Sequence, residues 1–79
     1  MFIIGFEQRI DRLRAYETYC FRIAHFLLDN KSAAVSAVRR AMLTLFQDRA
    51  FLFGKENERF DRVRAIVIRT SLEHKHGEA

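Results

Sequence analysis

The residues best equipped for chemistry in this chain are cations set among aromatics and amides. Between Arg59 and Arg69 there are four arginines, Arg59, Arg62, Arg64 and Arg69, against one acid, Asp61, a local charge of +3. Phe51, Phe53, Lys55 and Asn57 lie just ahead of them. Guanidinium forks pair with phosphate and with carboxylate oxygens, so the composition is compatible with nucleic acid or with an acidic protein partner. A second cationic pair, Arg39-Arg40, sits inside the alanine- and valine-rich stretch from Ala34 to Leu43. Solvated helix faces carry arginines too, and phenylalanines beside a helix end also fold back onto a core, so both readings stay open at this level. No catalytic or metal template is met. His74 and His76 are two apart and would point to different faces of a helix, His25 has no partner at helical spacing, and a structural zinc site needs four converging ligands. A phosphate-binding loop, a nucleophile elbow and a cysteine with an accompanying base are all missing from the pattern, so the chain reads as a non-enzyme without a cofactor.

Bulk properties set the scale for whatever holds these residues. The chain has 79 residues and a net charge of +4, and 11 of its 14 cations are arginine. One small domain of this size buries only roughly 60 to 65% of its unfolded surface, too little for a deep cleft with its own supporting layer. With 49% hydrophobic and 30% charged residues, no proline and three glycines, an all-α compact domain is the economical fold. The single cysteine, Cys20, excludes an internal disulfide and falls on an apolar stripe, where it reads as a small core hydrophobe. The apolar start, Met1 to Phe6, is interrupted by Glu7 and Arg9, short of the roughly 20 residues of a membrane span. It also lacks a basic leader region, so the expectation is a cytoplasmic protein with no membrane partner.

Hydrophobic spacing predicts a single domain of three helices. Phe6, Ile10, Leu13, Cys20, Ala24 and Leu27 recur at intervals of three, four and seven, placing a first helix over residues 6–28 with Arg9, Arg12 and Arg22 off the stripe. The turn formers Asp29 to Ser32 end it and offer Asn30 or Ser32 as the next cap. A second helix over 32–47 turns Ala34, Val38, Ala41, Met42 and Leu45 inward. Residues 51–58 break the period and read as a loop, with Gly54 free to adopt a positive φ and Asn57 capping the next helix. A third helix over 58–72 sets Phe60, Val63, Val67 and Ser71 on one side and Arg59, Arg62, Ile66 and Arg69 on another, and residues 73–79 form a polar, frayed tail.

Three segments in order resemble the second conserved region of bacterial RNA polymerase sigma factors, in particular the extracytoplasmic-function group. Tyr16 to Asp29 is similar to that family's Tyr-x-x-Tyr…Arg-x-Ala-x-x-Leu-Leu-Gly helix. Ala34 to Leu43 follows the apolar frame of Ala-Glu-Asp-Ala-Val-Gln-Glu-Ala-Phe-Leu. Phe60, Val67 and Arg69 stand where Phe-x-x-Trp-Leu-x-x-Ile-Ala-Arg-Asn has its Phe, Ile and Arg. The likeness covers about Tyr16 to Thr70. It departs at Ser36, Arg39 and Arg40, which replace Asp, Gln and Glu, and at Val63 and Thr70, which replace Trp and Asn.

The resemblance implies a domain like sigma region 2 acting in transcription initiation. Ser36, Arg39, Arg40 and Leu43 would meet the β′ clamp helices of core RNA polymerase. Lys55, Asn57, Arg59, Arg62, Arg69 and Thr70 would contact the opened −10 element of promoter DNA, with Phe51 and Phe53 substituting for the missing Trp as stacking platforms. Because the chain stops soon after the likeness ends, it further suggests the region-2 half of a split sigma factor, like the small co-sigma subunits that work with a second sigma-like protein bearing the region-4 domain for the −35 element. The same residues support two alternatives. The Arg39-Arg40 reversal of charge suits a region-2 mimic that regulates transcription without opening a promoter. Eight phenylalanines suit a helical module that self-associates.

Overall fold

The apolar stripe of the first segment winds into α1, Phe6–Leu28, in the computed structural model, which describes residues 6–77. The expectations placed on the apolar start and on the last two residues of the tail lie outside the described residues, as does the side chain of Phe6. Leu13, Cys20 and Ala24 are buried, with Ile10 and Leu27 partly so. Asp29 stops the helix in the left-handed region at φ 49°, its N–H bonded to the His25 carbonyl at 2.8 Å. Asp tolerates that conformation better than most non-glycine residues. Asn30 rather than Ser32 then caps α2, Lys31–Phe46, its side chain accepting the Ala33 N–H at 2.9 Å.

α2 is the packing hub. It buries Ala33, Ala34, Ala37, Val38, Ala41 and Leu45, and four alanines among these six let α1 and α4 both approach its backbone closely. The partner helix α4, Glu56–Gly77, buries Val63, Ile66, Val67, Thr70 and Ser71 against it. α1 and α4 run parallel: Tyr16 and Tyr19 meet Phe60 early in α4, while Ile23 and Leu27 share a groove with Arg64 and Ile68 one to two turns on.

Four expectations are corrected between α2 and the end of the chain. The predicted loop contains a short helix, α3, Arg49–Phe53, which folds because Asp48 caps it, accepting the Phe51 N–H at 2.8 Å, and because Phe51 and Leu52 are buried. Gly54 does not take a positive φ; it sits at φ −77°, and glycine is needed there because a Cβ would stand 2.3 Å from the Ala50 carbonyl oxygen. α4 begins at Glu56, so Asn57 is a first-turn residue instead of a cap, and it continues to Gly77 where a frayed tail was expected. His74, Lys75 and His76 in that last turn complement the negative end of the helix dipole. The domain is therefore all-α, as expected, with four helices among the described residues. None of these helices is long and apolar enough to cross a membrane.

Two off-stripe arginines of α1 make contacts within the domain. Arg9 lies over the Phe46 ring, 5.4 Å from its centroid, and the Arg12 guanidinium donates to the Leu52 carbonyl at the end of α3. Both act as internal staples. Cys20 is fully buried, and burial, with the Glu17 charge adding to it, pushes its thiol up to about 11. It is a core residue without thiolate character near neutral pH.

Candidate functional site

The expected site residues fall on two surfaces that the fold keeps apart. The first is the outer face of α2. Ser36, Arg39, Arg40 and Leu43 stand at i, i+3, i+4 and i+7, so they form one row, and all four are exposed. The row exists because the opposite face of the same helix carries the buried alanines. Leu43 is 66% exposed and Val35 beside the row is 41% exposed, so the strip is cationic with apolar shoulders. Arg39 and Arg40 have no ion-pair partner among the described residues. Arg39 also lines a groove of about 490 Å³ between α1 and α2, shared with Glu17, Phe21 and Met42.

The second surface is the α3–α4 junction, and here the structure brings together only part of the expected set. Lys55 and Asn57 are exposed and Arg59 is partly exposed. Lys55, Glu56, Asn57, Phe60 and Asp61 line a shallow hollow of about 620 Å³. Its two carboxylates outnumber its lysine, so the hollow suits the edge and face of a base better than a phosphate. Phe53 is 52% exposed and Phe60 44%, whereas Phe51 is fully buried against Tyr16, with ring centroids 5.5 Å apart. Of the two expected stacking rings, Phe53 is available and Phe51 is not. Phe60, expected on the inner stripe, instead packs its ring on Tyr16 and Tyr19 and leaves part of it in solvent.

Three α4 residues depart from their expected places. Ile66, expected among the arginines, is 2% exposed and belongs to the core. Thr70 is 5% exposed and faces inward, which withdraws it from any DNA contact made by this conformation. Arg62 is held by Asp48: Nη2 donates to Oδ2 at 2.6 Å and Nε to the same carboxylate at 3.2 Å. The Arg62 bonds, reinforced by the backbone N–H groups of Phe51 and Ala50, hold the Asp48 carboxyl below its usual range, and Asp48 in turn raises Arg62. Arg69 is exposed and pairs loosely with Glu73 at 3.8 Å, a contact that solvent screens.

Asp48 is the residue whose importance sequence spacing passes over. It caps α3 and anchors Arg62 at the same time. A signal for it does exist, since an aspartate directly before Arg49-Ala50-Phe51 is a helix-start pattern. In comparisons with known proteins, no protein-family model, no curated protein and no solved structure matches this chain.

Proposed function

We propose that this protein is a non-enzymatic helical module of transcription initiation, built like sigma region 2, which docks on RNA polymerase through α2 and presents the α3–α4 junction to a single strand of promoter DNA. The observation that carries the reading is the α2 row: Ser36, Arg39, Arg40 and Leu43 form an unbroken exposed strip directly over the buried Ala34, Ala37, Val38 and Ala41 frame on which the resemblance rests. On the DNA side the working set is Lys55, Asn57, Arg59 and Arg69 with Phe53 and Phe60 as stacking faces; Arg62 enters only if a phosphate displaces Asp48. A second sigma-like protein carrying the upstream-reading domain belongs to the same proposal.

Binding of the full chain to a β′ clamp-helix fragment tests it. Arg39→Glu with Arg40→Glu should change that affinity by about tenfold or more while the helical circular dichroism stays the same, because interfacial charge reversal acts on the partner and both sites are exposed. Equal binding by the two proteins would end the polymerase reading. Reconstituted transcription with core polymerase, with and without the region-4 partner, separates an initiating subunit from the second reading, a region-2 mimic. That second reading is favoured by one observation, the Arg39-Arg40 strip standing where the family carries amide and acid.

A further inference from the structure

The flank of α1 turned away from α2 carries a surface that the polymerase and DNA reading does not use. Tyr19, Arg22, Ile23, Phe26, Leu27, Arg64 and Ile68 line a groove of about 650 Å³ between α1 and α4. Phe26 is 85% exposed, the largest exposure of any big apolar side chain among the described residues. A phenylalanine left this bare beside a groove between two packed helices marks an unfilled contact.

Charge identifies what would fill it. Arg22 and Arg64 lie one on each wall of the groove, one from each helix, and neither has an ion-pair or hydrogen-bond partner among the described residues. No carboxylate lines the groove; Glu17, Asp29 and Asp61, the nearest acids along the chain, stay outside its lining, and Glu17 lines the separate α1–α2 groove. A second copy of this chain would bring its own Arg22 and Arg64 to the same place, on a protein already at +4, so like charges oppose self-association through this face. The shape suits a helix: α1 and α4 run side by side here, and α2 already occupies the corresponding position across the bundle. We propose that the α1–α4 groove is a docking site for an amphipathic helix of another protein, one whose apolar stripe packs on Phe26, Ile23 and Ile68 and whose flanking acids pair with Arg22 and Arg64. This site is independent of the sigma reading and stands or falls without it.

Nuclear magnetic resonance titration of the isotope-labelled full chain provides the test, using two synthetic helical peptides that share one leucine stripe. One has glutamates flanking the stripe and the other has lysines. The glutamate peptide should shift the amides around Arg22 to Leu27 and Arg64 to Ile68, and the lysine peptide should bind about tenfold more weakly or worse. Phe26→Ala should weaken the glutamate peptide by about tenfold, as loss of a central aromatic anchor does. Arg22→Glu with Arg64→Glu should reverse the preference between peptides. All three side chains are solvent-facing, and thermal melts of each variant will confirm that the fold is retained. Equal affinity for both peptides, shifts elsewhere on the molecule, or indifference to Phe26→Ala would overturn the proposal. So would a dimer in sedimentation that Phe26→Ala dissolves, or single-stranded DNA that outcompetes the glutamate peptide at these same amides.

Discussion

On α2, Arg39 and Arg40 stand in solvent without an ion-pair partner among the described residues, while at the α3–α4 junction Arg62 is drawn onto Asp48. All three lie on helical faces that the hydrophobic period marks as polar. The difference comes from what surrounds each helix. α2 packs with its alanine face and leaves its outer side uncrossed, whereas α4 is crossed by α3, whose capping carboxylate arrives beside Arg62. An arginine's position on a helix decides whether it faces outward; the neighbouring element decides whether it is free to bind anything else.

If α3 is the cause, removing its anchor should have the largest effect. Phe51→Ala deletes a fully buried ring and should cost about 3 to 5 kcal/mol in urea unfolding. A loss below about 1 kcal/mol would mean that α3 is an appendage and that the contrast between the two surfaces has another origin. Gly54→Ala puts a Cβ against the Ala50 carbonyl, so the last turn of α3 must open. The expected loss is about 1 to 3 kcal/mol, the usual range for forced overpacking.

Asp48→Ala removes the cap and the Arg62 anchor together and should cost about 1 to 2 kcal/mol, most of it from the cap because Arg62 remains 43% exposed. The same variant sharpens the comparison through pH. The folded-state Asp48 pKa lies below its ordinary 3.8, so its contribution is fully present above that value and is lost as pH falls through the folded pKa. Stability of the parent should therefore decline with acidification below about pH 4 more steeply than that of Asp48→Asn. Parallel acid curves would show that the pair contributes nothing. The smallest effect belongs to the α2 row: Arg39→Glu with Arg40→Glu should leave unfolding free energy within about 0.5 kcal/mol, since no intramolecular partner is lost.

Much of this fold is legible in the order of the amino acids. The predicted limits of the first helix coincide with α1, and those of the second lie within a residue of α2, because long amphipathic periods and the Asp29 to Ser32 turn formers carry that information locally. α3 cannot be read the same way. Five residues span little more than one turn, too few to display a period, and reading Phe51 to Glu58 as one loop hides the Asp48 cap. The burial of Ile66 and Thr70 escapes the spacing because α4 is enclosed on two sides, by α1 and α2, which widens its apolar stripe beyond a single row. Among the candidate binding residues, sequence spacing places the α2 row correctly on an outer face. It cannot show that a carboxylate 14 residues earlier claims Arg62, nor that Arg12 closes onto a carbonyl 40 residues later.

That last contact has a consequence for the order of assembly. A five-residue helix cannot persist alone in water, and its two ends are secured from different distances: Asp48 caps it locally, but the Leu52 carbonyl is satisfied by Arg12 of α1. α3 therefore becomes complete only after α1 and α4 have closed around it, and it should be the first element to open. Its amide hydrogens, Phe51 and Leu52 above all, should exchange with solvent faster than those of α2 in native conditions. The region that positions one candidate surface therefore depends on a contact from α1 as well as on its own cap.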